Sequence, residues 1–276
     1  MRTYHFIAGL PRSGSTLLAA ILNQNPAFRA GMSSPVFGVF NACLTAMGGS
    51  NEYALFLNDR QKANISRGIF DGYYSALTDA QPTGRVFFDT NRMWPARLPA
   101  LRLLYPGARI ICCVRNPAWI LDSIEQLIRK NALDTSRMFG SDAERISVYS
   151  RTEALMHKGR LVGSAFLALK EAYHGADAKA LLLLDYDTLV THPKDAIKLV
   201  YLFLGEPDFE HDFENVSYQA EEFDTQLLAK GLHQVRGRVE KRVRPTILPP
   251  EVFQKYAGMN FWNKGGSLAH TISARK

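Results

Sequence analysis

A glycine-containing loop near the start of the chain has residue types that bind phosphate. Segment 9–16, Gly-Leu-Pro-Arg-Ser-Gly-Ser-Thr, follows a short apolar run and precedes a helical pattern. A strand, a turn and a helix N-terminus in this order present free backbone N–H groups to an anion. The glycine spacing is that of nucleotide-binding loops, but Ser15 stands where those loops carry a lysine.

Within this loop, Arg12 can replace the missing lysine as the cation. An arginine offers two parallel N–H donors to a pair of oxyanion oxygens, which suits a phosphate or sulfate group. The alternative interpretation is an ordinary strand-to-helix turn in which Ser13 or Ser15 caps the helix. The residues predicted to form the anion site are Pro11, Arg12, Ser13, Gly14, Ser15 and Thr16.

A second pair of residues with anion-binding chemistry follows the apolar run 109–114. Arg115 stands directly after this predicted strand, Pro117 suits the first turn of a helix, and Ser123 follows Arg115 by eight positions. Ligands of open α/β sheets bind beyond the carboxyl ends of the strands. The pair is therefore predicted to form a second anion site. The alternative is a surface arginine and a helical serine without a shared role.

These segments resemble sulfotransferases that use 3′-phosphoadenosine 5′-phosphosulfate (PAPS). The sequence PRSGSTLL at 11–18 is similar to their 5′-phosphosulfate loop, and more so to that of tyrosylprotein sulfotransferases and bacterial relatives than to that of aryl sulfotransferases. In the family, an arginine at a strand end and a serine eight positions later hold the 3′-phosphate. The resemblance implies this role for Arg115 and Ser123, and it extends from residue 6 to about residue 242.

Two further segments match the family less specifically. Segment 184–189 resembles a strand-end segment whose tyrosine contacts the nucleotide, which implies that role for Tyr186; Asp187 and Thr188 are expected to cap the next helix. The basic stretch 230–244 resembles a C-terminal loop that embraces the 3′-phosphate and closes over it as a lid. The resemblance implies that Arg236 and Gly237 contact the 3′-phosphate, and we expect Arg236 rather than Arg238 to be the arginine that does so. A solvated basic stretch is the alternative.

The resemblance implies metal-independent, in-line transfer of a sulfuryl group from PAPS to a hydroxyl or amine, which leaves 3′,5′-adenosine bisphosphate (PAP). Arg12 is expected to stabilise the departing 5′-phosphate. Family members carry a catalytic lysine in the loop that corresponds to 89–92, and either Asn91 or Arg92 stands there. A loop that only leads into the next helix is the alternative.

No catalytic base is evident in the sequence. Tyrosylprotein sulfotransferases use a glutamate shortly after the first helix, whereas segment 31–36 has no carboxylate here. Asp89 is conceivable as the base, but an aspartate at a strand end more often caps a helix. His5 lies at the wrong end of its predicted strand and is expected to be structural, and Ser33 or Ser34 is expected at most to orient the acceptor.

The elements that must position these residues alternate between strand and helix. This alternation predicts a single α/β domain with a mainly parallel central sheet flanked by helices, and the resemblance implies the P-loop NTPase-like sulfotransferase fold. A helical insertion is predicted at 33–82, and its aromatic residues are expected to line the acceptor pocket. The predicted strands are 4–8, 86–89, 109–114 and 180–185, and the predicted helices are 15–23, 95–105, 117–131, 151–174 and 193–204.

Composition narrows the class of protein. The chain has 276 residues and a net charge of +7, and its three cysteines imply no disulfide framework. No apolar run approaches the ~20 residues of a membrane helix, and the first residues do not have the pattern of a signal peptide, so we expect a cytoplasmic enzyme. We also expect that it binds neither membranes nor nucleic acid. The acceptor is expected to be a small molecule, a carbohydrate or a peptide, and the oligomeric state is not predicted. The alternatives are an unusual P-loop kinase-like phosphotransferase and a non-catalytic protein that binds adenosine bisphosphate.

Overall fold

A parallel sheet forms the centre of the computed structural model. The structure describes residues 2–49, 51–78, 85–133, 138–218, 224–225, 233 and 235–274. Their strands are β1 (Thr3–Gly9), β2 (Phe28–Ala30), β3 (Val86–Thr90), β4 (Ile110–Val114), β5 (Leu181–Asp185), β6 (Val216–Tyr218), β7 (Val235–Gly237) and β8 (His270–Ile272). Within this part of the chain, six strands form the parallel sheet in the order β2-β3-β1-β4-β5-β8, and β6 and β7 form a small antiparallel pair.

The register of the sheet brings the ends of the central strands to one edge. Ile7 of β1 pairs with Thr90 of β3, and Gly9 pairs with Cys113 of β4. Val114 pairs in turn with Asp185 at the end of β5. Since all of these strands are parallel, the loops that follow them leave the sheet at the same carboxyl edge.

Helices cover both faces of the sheet, as the almost continuous burial of β1, β3, β4 and β5 requires. The core has two parts, one around Phe6 and Trp94 and the other around Ile7 and Leu18. The α-helices are α1 (Ser15–Leu22), α2 (Val36–Ala46), α3 (Asp59–Thr78), α4 (Leu98–Leu104), α5 (Pro117–Lys130), α6 (Asp142–Arg145), α7 (Val148–Met156), α8 (Leu161–His174), α9 (Tyr186–Thr191), α10 (Pro193–Leu204) and α11 (Pro250–Ala257). Short 3-10 helices span Glu52–Phe56, Trp94–Arg97, Ala178–Ala180 and Phe261–Lys264.

The predicted α/β class with a mainly parallel sheet is confirmed, and each predicted strand is found. The predicted helix 151–174 is wrong as a single element, because α7 ends at Met156 and α8 begins at Leu161. Three-residue strands such as β2 and β8 were not predicted, since they are too short to show a period-2 pattern. No helix in the described ranges is both long and apolar enough to cross a bilayer.

The predicted insertion at 33–82 contains α2, a 3-10 helix and α3, and residues 79–84 lie outside the described residues. The expectation that its aromatic side chains line an acceptor pocket is wrong for Phe40, Phe70 and Tyr74, which are buried in the core. Phe40 and Phe70 each pack against Trp94 with ring centroids 5.7 Å apart. The helical spacing of these rings therefore reflects the apolar faces with which the insertion packs on the domain.

Candidate active site

The loop between β1 and α1 has a backbone that few sequences can adopt. Gly9 and Gly14 have φ angles of +114° and +95°, and Arg12 has a φ of 59°, which is uncommon for a residue with a Cβ atom. The Ser13 hydroxyl is buried and donates to the carbonyl oxygens of Leu10 and, at 2.7 Å, Cys113. Ser13 thus ties the loop to the end of the adjacent strand β4.

The N-terminus of α1 lacks a side-chain cap among the described residues. The Gly14 carbonyl accepts the first helical hydrogen bond from the Leu18 N–H at 2.9 Å, while the Ser13 hydroxyl is directed at carbonyl oxygens of the loop and β4. The alternative in which Ser13 or Ser15 caps the helix is therefore wrong. The first N–H groups of α1 lie at the positive end of the helix dipole, where an anion is stabilised.

Arg12 connects this loop to the predicted second anion site. Its Nε donates to Ser123 Oγ in α5 at 3.2 Å. Burial lowers the pKa of Arg12, whereas the neighbouring Tyr186 raises it. Ser123, which the resemblance pairs with Arg115, thus also contacts the cation of the first site, so the two predicted sites are adjacent.

Arg115 lies where the prediction puts it, immediately after β4, and one of its N–H donors is buried. Its guanidinium carbon lies 4.4 Å from the centre of the Tyr186 ring. Its Nε is buried and has no hydrogen-bond partner among the described residues. Burial lowers the pKa of the group. A buried N–H without an acceptor is costly, and a phosphate oxygen is the type of group that would satisfy it.

Tyr186 lies between the two predicted anion sites. A Cβ atom at Gly14 would lie 2.8 Å from Tyr186 Cδ2, so the ring packs directly on the phosphate loop. Asp185 fixes the position of Tyr186, because its Oδ1 accepts from Thr188 N at 3.0 Å and caps α9. The predicted capping by Asp187 and Thr188 is wrong, since the cap lies earlier in the chain than expected.

Asn91 and Arg92 follow β3 at the same edge of the sheet. The Asn91 side-chain oxygen accepts from Met93 N at 3.0 Å and shapes the entry to the next 3-10 helix, as the structural alternative suggests. Arg92 is exposed and makes no hydrogen bond or ion pair with other described residues. The catalytic role of either residue stays a prediction.

Asp89 is buried and hydrogen-bonded in a way that the sequence did not indicate. Trp94 Nε1 donates to its Oδ1 at 2.7 Å, and the hydroxyls of Tyr74 and Ser34 donate to its Oδ2 at 2.7 and 2.5 Å. The expectation that Asp89 caps a helix is therefore wrong. Burial raises the pKa of this carboxyl, and the three hydrogen bonds act in the opposite direction. The feature of the sequence that could have indicated a buried role for Asp89 is the position of an acidic residue in an otherwise largely apolar strand.

The basic stretch is attached to the domain at several points. Arg236 and Gly237 pair with β6 through their backbones, and Gly237 has a φ of +84°. Val239 N then donates to Phe213 O at 2.8 Å. The Arg236 side chain and residues 230–232 and 234 lie outside the described residues. The predicted contact of Arg236 with the 3′-phosphate therefore stays a prediction.

Comparison with known proteins shows the family and the fold of this chain. The Sulfotransferase family model matches residues 5–211. Nodulation protein NoeE of Sinorhizobium fredii is 32% identical over 128 residues, which cover 44% of this chain and 30% of that protein. The sulfotransferase domain of the curacin biosynthetic pathway is similar in fold, with a TM-score of 0.53, 17% identity and coverage of 95% of this chain and 92% of that chain. Sulfotransferase STF9 of Mycobacterium avium has a TM-score of 0.51 and 14% identity, with coverage of 98% and 79%.

Proposed function

This chain belongs to the sulfotransferase family, and from this premise we propose that it transfers a sulfuryl group from PAPS to a hydroxyl or amine acceptor. The choice of PAPS as the donor rests on the buried Nε of Arg115, which has no acceptor among the described residues. Arg115 stands beside Tyr186, and Tyr186 in turn packs on Gly14 of the phosphate loop. Two anion sites joined by one aromatic ring suit a nucleoside with phosphate groups on both its 3′ and 5′ positions.

The residues present fit such a donor. The N–H groups at the start of α1, together with Arg12, would hold the 5′-phosphosulfate. Arg115 and Ser123 would hold the 3′-phosphate, and Tyr186 would contact the nucleoside between them. The Arg12–Ser123 hydrogen bond of 3.2 Å keeps the two ends of the site in a fixed relation.

The transfer forms one bond and breaks one. The acceptor oxygen or nitrogen attacks sulfur, the bond between sulfur and the 5′-phosphate oxygen breaks, and its electron pair remains on that oxygen. PAP leaves with this additional charge. Arg12 and the N–H groups of the loop stabilise the charge as it develops, so that positioning and electrostatics supply most of the catalysis.

The acceptor must also lose a proton, and Asp89 with Ser34 forms the route that we favour. Ser34 donates to Asp89 Oδ2 and accepts from Val36 N at 3.1 Å, which leaves its second lone pair for the acceptor. The acceptor proton passes to Ser34 Oγ as Ser34 gives its own proton to Asp89. The raised pKa of Asp89 favours its protonation.

Ligand binding in the absence of metal is the primary test. In buffer with EDTA, PAP should raise the melting temperature more than ADP or AMP does, because only PAP occupies the 3′ site. Equal stabilisation by AMP and PAP would contradict the proposal. In a separate buffer without EDTA, stabilisation by Mg·ATP but not by PAP would favour the phosphotransferase alternative.

Transfer is tested next with sulfur-labelled PAPS and a panel of small-molecule, carbohydrate and peptide acceptors. Label in at least one acceptor, with stoichiometric release of PAP, is the expected result. Binding of PAP without transfer to any acceptor class would instead favour the non-catalytic alternative.

A further inference from the structure

Asp122 is a fully buried carboxylate in α5, directly before Ser123. Its Oδ1 accepts from Thr246 Oγ1 and from Ile247 N, both at 2.7 Å. Its Oδ2 forms an ion pair with Arg244. The carboxylate thus joins the helix that carries Ser123 to the end of the basic stretch and the chain segment that follows it.

Burial of the Asp122 carboxylate has an energetic cost that its partners must offset. Burying a charged group is costly unless it is paired and hydrogen-bonded, and an apolar residue would fill the position without that cost. Three of the groups that offset the burial of the Asp122 charge come from 244–247. The next residue, Leu248, is buried in the core. Asp122 therefore gives the end of the basic stretch one defined attachment point on α5.

The middle of the basic stretch is attached as well. Gly237 pairs with Val216, and Val239 N bonds to Phe213 O at 2.8 Å. The span 240–243 therefore connects two attached points. In the middle of this span, Lys241 Nζ lies 3.9 Å from Asp187 Oδ1, one residue after Tyr186.

Arg244, the residue that follows this span, is attached to α5, the helix that also carries Ser123. Arg244 packs over the Trp119 ring with its guanidinium carbon 5.4 Å from the ring centre. Burial is the main cause that lowers the pKa of Arg115, and the charge of Arg244 contributes in the same direction. The like charges of Arg115 and Arg244 repel one another, and an anion that contacts both would relieve this repulsion.

We propose that Asp122 is a positioning residue that holds the cationic span 240–244 beside the 3′-phosphate site and so sets the selectivity for a 3′-phosphorylated nucleotide. The inference rests on the proposed function, since it assigns the 3′ end of the same donor site. Cations that are already placed lose less conformational entropy when the phosphate arrives. They interact with the 3′-phosphate and leave the affinity for a nucleotide with a free 3′-hydroxyl almost unchanged.

Glu125 is a matched control on the same helix. It is also buried, and it is paired with Arg129 at 2.9 Å and with Arg151 at 2.7 Å. Its partners belong to α5 and α7, and none of them belongs to the basic stretch. The loss of a buried charge should therefore destabilise the domain in either variant, whereas of the two carboxylates only Asp122 bonds directly to 244–247, which Glu125 reaches through the weak bond of 3.5 Å from Arg129 to Ile247 O.

The test compares Asp122→Asn with Glu125→Gln by calorimetric titration with PAP and with AMP. Asp122→Asn should lower the affinity for PAP by about tenfold, the equivalent of one charge-assisted hydrogen bond. It should lower the affinity for AMP by less than about twofold. Glu125→Gln should leave the ratio of the two affinities as in the wild type. If Asp122→Asn does not fold, Thr246→Val is the substitute, because it removes one hydrogen bond of the same carboxylate. Thr246→Val should also lower the affinity for PAP relative to that for AMP.

Two outcomes overturn the inference in distinguishable ways. A wild-type protein that binds AMP as well as PAP would remove the 3′ site itself, and with it both the proposed donor and the role of Asp122. A wild-type protein that prefers PAP, with the same preference in Asp122→Asn or in a folded Thr246→Val, would leave the proposed function in place and reduce Asp122 to a stabilising residue.

Discussion

Arg12 Nε donates to Ser123 Oγ at 3.2 Å, across 111 positions of the sequence. The contact joins the loop after β1 to the helix after β4, and these strands are neighbours in the sheet. Because the loop is predicted to bind the 5′ end of the donor and Ser123 the 3′ end, changes at either residue should affect both ends of the site.

Replacement of Arg12 should reduce the rate of transfer. In Arg12→Ala the charge that develops on the leaving 5′-phosphate oxygen loses its cation, and kcat at saturating PAPS should fall by about 10²–10³, as for the loss of one transition-state donor. The measurement is steady-state transfer of labelled sulfuryl groups. A wild-type kcat in Arg12→Ala would reduce Arg12 to a binding residue.

Replacement of Arg115 should mainly affect donor binding. Arg115→Ala removes a charge-assisted contact that exists before the transition state, so the KM for PAPS should rise with little change in kcat. Arg109→Ala is the control, since Arg109 also packs over an aromatic ring, that of Phe203, but precedes β4 at the opposite edge of the sheet. Equal increases in KM in both variants would contradict the assignment of Arg115.

Gly14→Ala should weaken nucleotide binding beyond the effect of backbone strain. The new Cβ would lie 2.8 Å from the Tyr186 ring, and the φ of +95° is unfavourable for alanine. Gly205→Ala is the control, because Gly205 has a φ of +74° and an added Cβ there would meet no atom within 4 Å. Both variants should lose about 1–3 kcal/mol of stability, and only Gly14→Ala should lose PAP affinity. Unchanged PAP binding in Gly14→Ala would contradict the contact with Tyr186.

Ser34→Ala should slow transfer if Asp89 takes the acceptor proton through this hydroxyl. The expected loss in kcat is about a hundredfold, typical of a general base, while Tyr74 and Trp94 keep Asp89 in place. Since the pKa of Asp89 is raised, the activity of the wild type should decline on the acid side at a pH above the ordinary carboxyl range. Ser33→Ala, at the exposed neighbour, is the control. The same kcat in both variants at every pH would rule out this route.

His5 should make the stability of the domain sensitive to acid. Burial, aided by the charge of Arg109, lowers the pKa of His5 from 6.5 to about 4. Below pH 6.5 the unfolded chain binds a proton that the folded one does not, so the contribution of His5 to stability is lost as the pH falls to about 4. The loss is on the order of 3 kcal/mol.

Urea unfolding of the wild type and His5→Asn across this pH range measures the effect. Asparagine can keep an acceptor for the Arg109 N–H, which donates to His5 Nδ1 at 3.2 Å. The difference in unfolding free energy between the two proteins should decrease from about pH 7 to about pH 4. A difference independent of pH would contradict the lowered pKa of His5.

Local patterns in the sequence determined the elements and the residues that stand at their ends. The apolar runs that became β1, β4 and β5 are long enough to be recognised, so the loop with Arg12 and the position of Arg115 follow directly from them. A structural role for His5 was also predictable, since it lies toward the start of its strand and away from those loops, but its burial is a finding of the structure. These features depend on neighbours within a few residues, which a single sequence displays.

The tertiary structure alone decided which of these residues meet. The order β3-β1-β4-β5 in the sheet brings Arg12 to Ser123 and places Tyr186 between Gly14 and Arg115. Two of the three donors to Asp89, Ser34 and Tyr74, and the attachment of Arg244 to Asp122 likewise come from more distant parts of the chain. Such contacts satisfy buried polar groups whose partners are chosen by packing, and no local spacing encodes them.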